Sequence, residues 1–153
     1  EKYDLKKEEI IVEELVQEIA NSLSPIFDKS RVEFITENTY QGKIIIDKLK
    51  VFRTIINLIK NAIEAMKQGG KIMLTSQQEG NMLHITLRDN GPGISEELLP
   101  IIFEPFVTSG KASGTGLGLA ISKKVVEDHK GKMTVCNNAE GGACFDIHLP
   151  LRN

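Results

Sequence analysis

The sequence predicts an α+β fold, a two-layer α/β sandwich in which a mixed, mostly antiparallel sheet carries about three helices on one face. Three observations predict it. Apolar residues recur with helical period in three segments, near residues 8–27, 50–67 and 115–129. Between and after these lie short runs that alternate apolar and polar residues, as half-buried strands do. The order is helix, two strands, helix, two strands, a polar glycine-containing segment, helix and two closing strands.

Glu8 to Phe27 reads as an amphipathic helix because Ile11, Leu15, Ile19 and Leu23 recur at i, i+4, and Pro25 weakens its last turn. Val32 to Thr36 alternates like a strand, and Ile44 to Ile46 is a second short one. Asp47 stands where the next helix can start. From Lys50 to Lys67 the residues Val51, Ile55, Leu58, Ala62 and Met66 form one apolar stripe, widened by Ile59 and Ile63. Arg53, Asn57 and Asn61 form a polar stripe on another face. Asparagine is a mediocre helix former, so the stripe either faces solvent or serves a ligand, and the residues alone leave this open.

Gln68-Gly69-Gly70 ends that helix. Lys71 to Ser76 and Met82 to Leu87 form an antiparallel pair with one wet face, turned at Glu79-Gly80-Asn81. His84 falls on the wet phase and reads as a surface strand residue. Ser95 can cap a short helix, with Glu96 and Glu97 in its first turn and an end near Leu99-Pro100. Thr115 to His129 forms the third helix, with Leu117, Ile121 and Val125 as its buried face. His129 and Lys130 suit the helix dipole, and Gly131 stops it. Lys132 to Asn137 and Ala143 to Leu149 close the domain as a hairpin around Glu140-Gly141-Gly142.

At 153 residues and 41% hydrophobic content the chain reads as one domain, residues 1–153, with a real core. Nineteen basic against twenty-one acidic residues argue against a nucleic-acid surface. No run of eighteen apolar residues exists and no signal peptide opens the chain, which begins abruptly at Glu1 like a piece of a longer protein. Cys136 and Cys144 fit neither a zinc nor a CxxC pattern. They read as reduced, half-buried strand residues that face each other across the hairpin.

The stretch from Asp89 to Leu119 organises the rest. Asp89 ends a strand and can accept a hydrogen bond from an exocyclic amine. Gly91 and Gly93 lack a Cβ, so the backbone can turn sharply and a flat ligand can approach. Gly114, Gly116 and Gly118 leave backbone N–H groups bare at a helix start, which suits phosphate. Each cluster alone is an ordinary turn. Their order and spacing, with Phe103-Glu104-Pro105-Phe106 between them, is the informative feature.

Over nearly its whole length the chain resembles the ATP-binding catalytic domain of bacterial two-component sensor histidine kinases. That family lies in the gyrase–Hsp90–histidine kinase–MutL superfamily, which shares the Bergerat fold. The family's N, G1, F and G2 boxes match Asn57-Leu58-Ile59-Lys60-Asn61-Ala62, Asp89-Asn90-Gly91-Pro92-Gly93, Phe103-Glu104-Pro105-Phe106 and Gly114-Thr115-Gly116-Leu117-Gly118. The resemblance implies that ATP and Mg²⁺ bind between the helices and a nucleotide lid, here about residues 95–114. Asp89, Gly91, Gly93 and Ile94 would serve the base. Asn57, Asn61, Phe106, Thr108, Lys111, Gly114, Thr115, Gly116, Leu117 and Gly118 would complete the ATP site, with Asn61 on the metal.

The resemblance further implies transfer of the γ-phosphoryl group to a histidine on a separate helical domain, and onward to a response-regulator aspartate. None of His84, His129 or His148 lies in the setting of such an acceptor. The expected fragment is monomeric and cytoplasmic, from a homodimeric parent whose membrane anchorage stays open. Three departures stand out. Arg53 occupies a position where related ATPases keep a water-activating glutamate, and it cannot act as a base. Glu64 stands where many sensor kinases have a basic residue, leaving Lys60 as the neighbouring cation. Ala143-Cys144 stands where the family often has threonine. The alternatives are another ATPase or serine/threonine kinase of the superfamily, or a non-catalytic nucleotide-binding module.

Overall fold

The computed structural model describes residues 4–107 and 118–152. Its elements are β1 (Glu8–Ile11), α1 (Val12–Lys29), β2 (Val32–Asn38), β3 (Lys43–Ile46), α2 (Lys48–Ala65), β4 (Gly70–Glu79), β5 (Met82–Asp89), α3 (Gly118–Asp128), β6 (Lys132–Asn137) and β7 (Ala143–Pro150), with one 3₁₀ turn at Leu99–Ile101. Five strands form one sheet in the order β2-β4-β5-β7-β6. Only the β2–β4 pair is parallel, so the sheet is mixed and mostly antiparallel as predicted.

The three helices pack on one sheet face. Val12, Leu15, Val16, Ile19 and Leu23 of α1 and Val51, Ile55, Leu58 and Ile59 of α2 are buried against Ile72, Leu74, Leu83, Ile85, Leu87, Ile147 and Leu149. Each such side chain contributes about 1.5–3 kcal/mol by leaving water. The apolar stripe of α2 is the predicted one, with Ala62 and Ile63 at its half-buried edge.

Four elements differ from the sequence expectation. Glu8–Ile11 is a strand, because it pairs antiparallel with Lys43–Ile46 in a small second sheet. The helix begins only at Val12, whose amide donates to the Gly42 carbonyl at 3.2 Å. It runs on to Lys29, two residues past the expected Phe27, with Pro25 inside it. After Ser95 no α-helix forms. Ser95 caps a single turn through Leu98 and Leu99, and the 3₁₀ turn follows with Pro100 in it.

On α3 the buried side chains are Ser122 and Val126, not the predicted neighbours, and Ile121 is 59% exposed. The helix turns the polar Ser122 inward toward α2, a choice that apolar periodicity cannot signal. At its end Lys130 takes the left-handed conformation (φ 61°), one residue before the predicted glycine stop.

His129 is buried rather than poised on the helix dipole. Its Nδ1 donates to the Val125 carbonyl at 2.7 Å, and its Nε2 accepts the Asp47 amide proton at 3.0 Å. The end of α3 is thereby pinned to the start of α2. Cys136 and Cys144 are opposed in register and both free, the first exposed and the second buried. Burial, reinforced by the Asp146 charge, pushes the Cys144 thiol up to about 11. No described helix is long and apolar enough to cross a membrane.

Candidate functional site

Asp89 is the last residue of β5, beside the first residue of β7. Its Oδ1 accepts the amides of Gly91 at 2.9 Å and Ala143 at 3.2 Å. Its carbonyl accepts the side-chain amide of Asn138 at 3.1 Å. These contacts fix the carboxylate and leave Oδ2 accepting no hydrogen bond among the described residues.

The loop after Asp89 is held from the other side. Asn137 accepts the Ile94 amide at 2.8 Å and returns a bond to the Ile94 carbonyl at 2.6 Å. Gly93 adopts φ 78°, which a side chain would strain. Gly91 serves close packing instead, since a Cβ there would meet Met66 Cγ at 2.7 Å.

Asp89, Gly93 and Ile94 line a narrow slot of about 70 Å³ with Leu58, Asn61, Ala62, Leu119, Ala143 and Phe145. That is far below the roughly 300–1,000 Å³ of a whole-ligand cleft, so the slot suits one flat part of a ligand. A second cavity of about 580 Å³ runs between α2 and α3, lined by Lys50, Arg53, Asn57, Gly118, Ser122 and Lys124 among others. Asp128 also lines it and accepts a hydrogen bond from Lys124 Nζ at 3.1 Å, so Lys50 and Arg53 are the cationic side chains on its α2 wall.

The two asparagines therefore divide their work. Asn61 borders the slot, whereas Asn57, one turn earlier, borders the larger groove and not the same cavity. The Asn57 amide points across to Ser122 Oγ at 3.5 Å. It also covers Gly118, where a Cβ would meet Asn57 Nδ2 at 2.8 Å, so α2 and the start of α3 approach closely only through that glycine.

Phe103 packs edge-on against Phe145 with ring centroids 6.3 Å apart, and the Lys123 ammonium sits 4.8 Å over its ring. Phe106 lies outside the slot, 76% exposed and with φ 68°. The expected contacts of Thr108, Lys111, Gly114, Thr115, Gly116 and Leu117 lie outside the described residues. Asn137 and Asn138 were not foreseen, whereas Ala143, noted where the family often has threonine, lines the slot and donates its amide to Asp89. The Asn137-Asn138 pair reads as ordinary turn chemistry in the sequence, and nothing there shows that both side chains reach back to the Asp89–Ile94 loop.

Residues 46–153 match the model of the histidine kinase-, DNA gyrase B- and HSP90-like ATPase family. Sporulation kinase A of Bacillus subtilis (strain 168) is 34% identical over 148 residues, which is 95% of this chain and 24% of that protein. The chain thus spans about a quarter of that curated relative's length. The nucleotide-free catalytic domain of histidine kinase ThkA superposes with a TM-score of 0.88 at 32% identity, covering 97% of this chain and 100% of that one. ThkA in complex with response regulator protein TrrA gives 0.82 at 30% identity, covering 95% of this chain and 42% of that one. With the family model spanning most of the sequence and the catalytic-domain fold reproduced throughout, the chain belongs to the histidine kinase-, DNA gyrase B- and HSP90-like ATPase family.

Proposed function

We propose that this chain, residues 1–153, is the catalytic domain of a two-component sensor histidine kinase, binding Mg²⁺-ATP and donating its γ-phosphoryl group to a histidine on a separate helical domain. The observation that carries the reading is the Asp89 carboxylate, locked by two backbone amides at the edge of a small slot. Its second oxygen is the acceptor for the exocyclic amine of adenine. The groove that Lys50 and Arg53 line takes the phosphates, and the backbone of Gly114, Gly116 and Gly118 would cradle them.

Asn61 and Asn57 fit Mg²⁺ in donor chemistry, because neutral amide oxygens suit a hard cation when phosphates supply the charge. The ion would neutralise charge that develops on the phosphoryl oxygens. The chain's own residues then act by positioning. The base is fixed through Asp89, Gly93 and Ile94, and the segment of about residues 95–114, with Phe106, Thr108 and Lys111, acts as the lid. Arg53 offers no base for water, so hydrolysis without an acceptor is slow. In transfer the histidine nitrogen attacks the γ-phosphorus, a P–N bond forms and the bond to ADP breaks.

Support for an acceptor elsewhere comes from His129, whose ring nitrogens are both engaged inside the fold. Onward transfer to a response regulator, a monomeric cytoplasmic domain and a homodimeric parent complete the proposal. The test mixes this domain with the parent's helical segment and γ-labelled ATP plus Mg²⁺. An acid-labile, base-stable phosphate on the helical segment is expected. Acid-stable phosphate would assign a serine/threonine kinase, and nucleotide binding with neither transfer nor hydrolysis would assign a binding module.

A further inference from the structure

The outer face of the sheet, opposite the helices, carries a group that the nucleotide site does not use. His84 and His148 are directly opposed on β5 and β7, with rings stacked 4.1 Å apart. Glu79 closes the group from the end of β4. Its Oε2 lies 2.9 Å from His84 Nδ1 and 3.7 Å from His148 Nε2. Contrary to the reading of His84 as a plain surface residue, its side chain is only 16% exposed.

Two features single this group out. First, His84 Nδ1 is buried and makes no well-formed hydrogen bond, although the Glu79 oxygen is close. Second, the other ring nitrogen is already committed. His84 Nε2 sits 2.7 Å from Asp146 Oδ1, which also accepts the Thr86 hydroxyl at 3.3 Å. A proton on Nε2, donated to Asp146, leaves the Nδ1 lone pair facing the Glu79 carboxylate. Two acceptors in contact need either a second proton on the imidazole or a metal ion between them, and the stacked His148 supplies a further ligand atom for the metal. A carboxylate behind an imidazole, fixing its tautomer, is the usual support for a metal-ligating histidine.

We infer that Glu79, His84 and His148 form a binding site for a divalent transition-metal ion of the Zn²⁺ class. Two imidazoles and a carboxylate suit Zn²⁺ rather than Mg²⁺, which prefers oxygen ligands. Around a tetrahedral ion with bonds of about 2.0–2.1 Å, ligand atoms lie about 3.4 Å from one another. The observed separations of 2.9 and 3.7 Å bracket that value, and all three ligand atoms lie within 4.8 Å of one another. Closing both imidazoles on one ion tilts them out of their stack, and a fourth position stays open to water.

The ion clamps β4, β5 and β7 at the sheet end away from Asp89. Asp89 lies five residue steps beyond His84, about 17 Å along β5. The site is therefore separate from the nucleotide slot and stands or falls independently of the kinase reading. Its nearest rival is the adjacent group of Cys136, Cys144 and Asp146 on the same face.

The test is Zn²⁺ calorimetry on the chain without an affinity tag, in excess Mg²⁺, with Co²⁺ absorption as the spectroscopic readout. Binding of one equivalent is expected, with tetrahedral Co²⁺ bands and no thiolate charge-transfer band. Glu79 is 59% exposed in its side chain, so Glu79→Gln keeps the fold and should weaken binding at least tenfold. His148→Gln should do the same, and Asp146→Asn should cost about 10–100-fold. Melting of each variant in chelator reports whether it folds. Absence of stoichiometric binding, or equal affinity in Glu79→Gln and His148→Gln, would overturn the site. A thiolate band that vanishes in Cys136→Ser would move the ion to the cysteines and overturn it equally.

Discussion

Asp89 keeps its position because backbone amides from two different segments converge on one of its oxygens. A carboxylate so held loses little freedom when a ligand arrives, which is how a single side chain can set base specificity. Asn61 works differently. It lines the slot from α2, and in the proposed complex its amide oxygen would hold the Mg²⁺ that the phosphates bind. Asn61→Ala should therefore leave the fold intact but abolish most of the gain in ADP affinity that Mg²⁺ confers. Calorimetry with and without Mg²⁺ measures that difference, and an unchanged Mg²⁺ increment would remove Asn61 from the metal. Arg53 borders the same groove as Asn57, so its charge reaches the phosphate side even though it offers no general base.

Among the elements, α2 lines both the slot and the groove, and its start is the junction that holds the helices in register. Asp47 accepts the Lys50 amide at 3.2 Å as N-cap and the Lys6 amide at 3.0 Å, and its own amide donates to His129. Burial alone would raise the Asp47 carboxyl. The donated Lys6 and Lys50 amides and the nearby Lys50 charge outweigh burial and hold it below the ordinary carboxylate range. Because the folded state lowers this pKa, the stabilisation is complete above about pH 4 and is lost as the pH falls through the lowered value. Asp47→Ala should cost about 1–2 kcal/mol and lower Tm by about 2–8 °C near neutral pH. That difference should shrink in acid, and a penalty that persists unchanged well below pH 4 would assign the role to packing instead.

For the molecule as a whole, the layering was legible because it rests on local signals. Asp47 and Gly69-Gly70 bound α2, and the period-two runs of β4 and β5 show which face is wet. What escaped depends on partners distant in sequence. Glu8–Ile11 becomes a strand only because Lys43–Ile46 pairs with it, and Ser122 turns inward only because Asn57 is there to meet it. The site divides the same way. Asp89, Gly93 and Asn61 were visible from motif and spacing, while the Asn137 and Asn138 braces come from a hairpin more than forty residues away in sequence.

The central claim is that Asp89 reads the base of an adenine nucleotide. Asp89→Asn tests it with little disturbance, since the amide oxygen can still accept the Gly91 and Ala143 amides while an NH₂ group replaces the free acceptor. The measurement is calorimetric ADP affinity of the wild-type chain and Asp89→Asn, with melting of both as the fold control. A loss of at least tenfold, about 1.4 kcal/mol, is expected, with Tm changed by less than about 4 °C. Equal affinity in the two chains, with both folded, would contradict it.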